Sequence, residues 1–136
     1  MIDFLIYLTP QSSQIISMLY AKNYKILENA PICRNKEIFG FLYSKNFIVC
    51  TNNIKNTISP VDHYVNETVY HEAVHAIQNC KGGPINIKEI NLETNKLNDV
   101  NNSVKLTGVQ PVYETEAYYL EDKPDQIISY MKRYCF

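Results

Sequence analysis

The sequence predicts a single α+β domain in which a β-hairpin and a short twisted sheet pack against helices. Three observations carry that expectation. Two β-rich runs flank a polar turn within residues 37–51, several later segments show capped helical spacing, and 136 residues is the length of one domain. With 46% hydrophobic and 20% charged residues the chain lies in the globular range, away from disordered or collagen-like compositions. Thirteen basic residues against fourteen acidic ones give a net charge of -1, which leaves no electrostatic footprint for a nucleic acid or an anionic membrane. The opening MIDFLIYLTP has no basic leader, and no apolar run reaches the roughly 18 residues of a membrane span. A soluble, cytoplasmic protein is the expectation. In that setting Cys33, Cys50, Cys80 and Cys135, which form no CxxC pair, read as buried small hydrophobes, with a Cys80–Cys135 bridge as the alternative.

Residues 2–8 are mostly apolar and suggest a short strand. Thr9-Pro10 then supplies a cap and a first-turn proline for a helix over residues 10–22, with Ile15, Ile16, Leu19 and Tyr20 inward and Gln11, Ser12 and Lys22 outward. The runs 37–43 and 46–51, joined at Ser44-Lys45, read as the hairpin. A long helix begins at Ser59-Pro60 or at Asn66 and continues to about Cys80, where Gly82-Gly83-Pro84 ends it. Residues 86–107 are polar, rich in Asn and without sustained period, so a long loop is expected, with a strand, a short helix or a mobile flap within it as the alternatives. Helices follow over residues 112–121 and 124–134, each behind a proline.

The chemistry is concentrated in His71-Glu72-Ala73-Val74-His75, an H-E-x-x-H pattern inside the long helix. Histidines four apart sit one turn apart on one helix face, so both imidazoles can reach a single ion at the roughly 2.0–2.1 Å of a zinc–nitrogen bond. Glu72, about 100° around the helix, can lean over the same ion without binding it and act as general base toward a water acidified by the metal. A catalytic zinc takes a third protein ligand. Gln78 and Lys81 stand where an H-E-x-x-H-x-x-G-x-x-H extension requires Gly and His, and the remaining histidine, His63, lies upstream. The third ligand is therefore expected to be a carboxylate.

The motif, followed by Glu114-Thr115-Glu116-Ala117, resembles the gluzincin branch of zincin metallopeptidases, in which a downstream helix provides a glutamate ligand in an E-x-x-A pattern. The resemblance spans about residues 36–121 and implies a small zincin-like domain, one zinc ion held by His71, His75 and Glu114, Glu72 as catalytic base, and hydrolysis of peptide bonds. Ala117 matches the small residue of the pattern. Some of these families carry Asp after that Ala, whereas this chain has Tyr118. Glu121, one turn on, is therefore a candidate partner for a ligand histidine. Glu114 and Glu116 are about 200° apart on a helix, so only one can face the metal, and Glu116 is the alternative third ligand. Tyr113 and Tyr118 flank the glutamate as candidate donors to a developing oxyanion or as supports behind the ligands.

The resemblance also implies that the hairpin forms the rim of the cleft, where an extended peptide or protein substrate pairs with its outer strand. The rival reading, of another class, is a metal-binding regulatory or adaptor module with little or no peptidase activity. Its metal site would be closed by a fourth protein ligand, one of the cysteines or His63.

Overall fold

The computed structural model describes residues 2–136 and has the α+β architecture expected. Three strands, β1 (Lys25–Glu28), β2 (Gly40–Tyr43) and β3 (Asn46–Val49), form a mixed sheet in the order β1-β3-β2. β2 and β3 are the hairpin, antiparallel with Gly40 opposite Val49 and Tyr43 opposite Asn46, while β1 lies parallel to β3. Ser44, at φ 54°, takes the left-handed turn conformation that a two-residue connection demands. With β3 in the centre, one edge of β2 is free of any strand.

Six α-helices surround the sheet. They are α1 (Pro10–Ala21), α2 (Thr51–Thr57), α3 (Val61–Lys81), α4 (Thr94–Thr107), α5 (Pro111–Leu120) and α6 (Pro124–Cys135). The long helix α3 is the axis of the domain. Its Val65, Val69, Ala73, Val74, Ala76 and Ile77 are fully buried, and α1, α5, α6 and the sheet pack around them. It starts just after Pro60, the earlier of the two expected starts. It ends on Gly82, which at φ 81° returns its N–H to the carbonyls of Gln78 and Asn79. No described helix is long and apolar enough to cross a membrane.

Several expectations are corrected. Residues 2–8 do not form a strand but a 3-10 turn at Asp3–Tyr7. The Glu28 carboxylate accepts the N–H groups of Asp3 and Phe4 at 2.9 Å each, which satisfies them without a neighbouring strand, and only Phe4 enters the core. β1 and α2 lie where no element was expected, and Thr51 opens α2 instead of ending β3. In α1, Tyr20 is exposed, whereas Ser12 is buried and donates to Asn66 Oδ1 at 2.6 Å. The expected loop over residues 86–107 is largely the helix α4. It buries only Val100 and packs mainly on α5, so its apolar stripe is too thin to stand out among asparagines.

The cysteines are the remaining correction. All four are paired, Cys80 with Cys135, as the alternative had it, and Cys33 with Cys50. The first bridge ties the last turn of α3 to the last turn of α6 across 55 residues of sequence, and the second ties residues ahead of β2 to the end of β3. Closing a 55-residue loop removes enough unfolded-chain entropy to stabilise the fold by about 4 kcal/mol. Replacing both Cys80 and Cys135 by Ser is accordingly predicted to lower the unfolding free energy by about 3–4 kcal/mol in urea titrations. An unchanged denaturation midpoint would contradict this account of the bridge.

Candidate metal centre

Helix α3 presents His71 and His75 from successive turns of one face, and α5 crosses that face. Ala117 of α5 is fully buried and carries no bulk, so the two backbones approach and Glu114, one turn earlier on α5, reaches the imidazoles. Glu114 Oε1 lies 2.5 Å from His75 Nε2 and 3.4 Å from His71 Nε2. One ligand atom from each of His71, His75 and Glu114 falls within 4.8 Å of the others, a group that could hold a metal ion. The three side chains are only 11%, 13% and 4% exposed. Neither His63, which is exposed beside Glu67, nor any cysteine joins them.

The donor chemistry of this group fits a cation. His71 Nδ1 lies 2.9 Å from Glu121 Oε1 and His75 Nδ1 lies 2.8 Å from Gln78 Oε1. Each of those oxygens accepts a proton held on Nδ1, which leaves Nε2 as a lone pair directed at the carboxylate of Glu114. Three acceptors then face one another, and positive charge must sit between them. In a metal-free chain a proton takes that place. Burial opposes a charge on His71, but hydrogen bonds to Glu114 and Glu121 outweigh it and raise its pKa well above the usual 6.5. Burial likewise opposes ionisation of Glu114, yet hydrogen bonds from His71 and His75 hold its carboxyl far below the usual carboxylate range.

The other candidate residues occupy distinct places. Glu121 is the partner of His71 and also lies 3.7 Å from Lys96 Nζ. Glu116 is turned away from the histidines and is 2% exposed. It accepts from Gln78 Nε2 and the Ile85 amide at 2.9 Å and from the Asn86 amide at 2.8 Å. It thus anchors the chain leaving α3. Tyr118 lays its ring edge-on against His71 at 4.5 Å between centroids, but its hydroxyl is engaged 2.5 Å from Ser103 Oγ of α4. Tyr113 lines the cleft, and its carbonyl accepts from Gln78. Gln78, which sequence reasoning weighed only for a missing glycine, links His75 to Glu116. Its signal was its place three residues after His75, on the same helix face.

Glu72 opens on a cleft of about 490 Å³ between β2, α3, α4 and α5. It is 6% exposed and has no hydrogen-bond partner among the described residues, and burial raises its pKa above the usual 4.5. Strand β2 forms the opposite rim, and Gly40 sets how close it comes. A Cβ there would stand 2.5 Å from Thr68 Cγ2 and 3.0 Å from Glu72 Cγ. Sequence reasoning missed Gly40, because nothing local marks a glycine that a helix distant in the chain will press upon.

Fold and site together define a small α+β domain with a buried two-histidine, one-glutamate group at the floor of a cleft. The chain belongs to the family described as Domain of unknown function (DUF8637), which matches residues 4–136. No curated protein and no solved structure matches it.

Metal titrations separate the glutamates. His71→Ala, His75→Ala and Glu114→Ala are each predicted to weaken binding of a divalent transition metal at least 100-fold, whereas Gln78→Ala costs about 10–100-fold through the orientation of His75. Glu116→Ala is predicted to cost mainly stability, with metal affinity lowered no more than by Gln78→Ala. Isothermal titration showing Glu116→Ala as the most damaging variant would reverse the assignment.

Proposed function

We propose that the protein is a zinc-dependent metallopeptidase, a minimal gluzincin-like hydrolase of peptide bonds. The observation that carries this reading is the pairing of an acceptor-only His71–His75–Glu114 group with an unpartnered, buried Glu72 on the same cleft. Two imidazoles and one carboxylate suit zinc, and three protein ligands leave a position open for chemistry. A zinc ion bound there supplies Lewis acidity to a water and to the scissile carbonyl. His71 and His75 hold their lone pairs inward through Glu121 and Gln78. Glu72, with no hydrogen bond from the described residues to tie down its carboxylate, takes the proton from the attacking water and delivers it to the leaving amine. Its raised pKa, caused by burial, makes it a better proton acceptor than an exposed glutamate.

The free edge of β2 supports an extended peptide as substrate. Cys50 N–H donates to the Phe39 carbonyl at 2.7 Å, so by antiparallel alternation Phe41 and Tyr43 bond to β3 while the main-chain groups of Gly40 and Leu42 point toward the cleft. The rival metal-binding adaptor finds less support, because the cysteines that could close a structural site are consumed in disulfides. Those bridges also favour an oxidising environment over the cytoplasm.

Two outcomes test this reading. Glu72→Gln is predicted to retain zinc and fold but to cleave peptides at least 100-fold more slowly, since the amide cannot accept the proton. A variant that cuts as fast as the parent would remove Glu72 from the mechanism. Leu42→Pro, which deletes an N–H directed at the cleft and no bond to β3, is predicted to weaken peptide binding about tenfold or more while the hairpin persists by circular dichroism. Undiminished binding would show that the peptide does not add to this edge.

A further inference from the structure

The cleft is charged in one sense. Among the described residues, five glutamates line it and no lysine or arginine does. Three of the five have evident duties: Glu114 faces the histidines, Glu121 holds His71, and Glu72 stands buried and unpartnered at the floor. Glu37 and Glu67 have none. Glu67 lies one turn before His71 on α3, half-buried, 3.6 Å from the exposed imidazole of His63, and burial together with the nearby Glu121 raises its pKa to about 7, so a cation placed beside it favours its ionised form.

Past Tyr118 the cleft continues into a second pouch of about 710 Å³. Phe39, Ile58 and Leu106 give it apolar walls, while Glu37, Glu67 and Asp99 give it charge. Its only lysine, Lys105, is exposed. Apolar walls ending in carboxylates match a long aliphatic stem ending in a cation. An acidic side chain meets repulsion from these carboxylates.

We propose that this pouch is the specificity subsite of the enzyme and takes a lysine or arginine side chain of the peptide, with Glu67 and Glu37 as its carboxylate partners. The inference rests on the peptidase reading above and gives it a substrate class, basic peptides. We take the peptide to pair antiparallel with β2, and the fold then fixes which of its ends meets the pouch. Gly40 lies against Thr68 and Glu72, while Ser44 accepts from Asn79, so α3 and β2 run the same way along the cleft. A peptide antiparallel to β2 therefore carries its C-terminal part toward Glu37 and Glu67. The basic residue falls on the C-terminal side of the bond cut.

The test uses two pools of ten-residue peptides, one containing Lys and Arg and one with norleucine and citrulline in their place. Cleavage by the zinc-loaded protein is mapped by mass spectrometry, and binding is measured separately on zinc-loaded Glu72→Gln by fluorescence anisotropy. The expected result is about tenfold or greater preference for the basic pool in both measurements, with Lys or Arg enriched after the cut. The Glu37→Gln/Glu67→Gln double variant should bring both preferences to within about twofold. If it does not fold, Glu37→Gln with Asp99→Asn, both at exposed positions, should lower them in the same sense. Equal binding of the two pools to the folded protein would overturn the inference whether or not either pool is cut. Preferential binding of the basic pool with no cleavage of either would leave the subsite standing and remove the peptidase reading.

Discussion

Two imidazole nitrogens and a carboxylate oxygen, all acceptors, are held face to face beneath the surface of a 136-residue domain, and much of the rest of the molecule serves to keep them there. Such an arrangement repels itself unless a cation occupies its centre. It survives only because each member is fixed from behind. Glu121 fixes His71, Gln78 fixes His75, and the crossing of α5 over α3 at Ala117 fixes Glu114. Leaving a buried charged or polar group without its partner costs about 1–3 kcal/mol or more, so these contacts constrain the fold as well as the site.

The supports extend outward in a continuous chain. Gln78 leans on Glu116, and Glu116 accepts the amides of residues 85 and 86, so the turn that leaves α3 is held by the helix that carries Glu114. Tyr118 connects His71 to Ser103 of α4, and Lys96 of α4 donates to the Tyr118 carbonyl at 2.6 Å. α4 contributes little to the hydrophobic core, and its polar links to α5 position it beside the cleft. The Cys80–Cys135 bridge closes the far end of α3 against α6. A domain of this size that commits several buried carboxylates to one cleft benefits from such covalent reinforcement.

Strand β2 contributes through what it lacks. It has no neighbour on one edge and no side chain at Gly40, so its main chain comes close to Glu72 while its unpaired N–H and C=O groups remain available. The same rim ends in Glu37, which lines the pouch together with Glu67, and this gathers the uncommitted carboxyl groups at one end of the cleft. Shape comes from the strand and charge from the helix, and together they supply the reasons for reading the cleft as a peptide groove with a taste for cations.

Much was legible in the sequence alone. Two β-rich runs and a polar turn marked the β2–β3 hairpin, prolines and glycines marked the ends of α1, α3, α5 and α6, and the fourfold spacing of His71 and His75 placed them on one face, because these signals are local and follow from backbone geometry. The α+β class and the two facing histidines follow from such patterns, whereas Glu114 was singled out by resemblance to an E-x-x-A helix. The 3-10 turn at the start, strand β1, helix α4 and the Cys33–Cys50 bridge do not, since each depends on a partner far along the chain: the Glu28 carboxylate, β3, α5, and a cysteine 17 residues away. The choice between Glu114 and Glu116 could be posed from helix geometry, but which one faces the histidines depends on the rotation of α5 against α3. That rotation, with the closeness of Gly40 to Glu72, the partnership of Gln78 with His75 and the acidic pouch beyond Tyr118, was decided only by tertiary packing, because side chains distant in sequence meet there and no local pattern records the meeting.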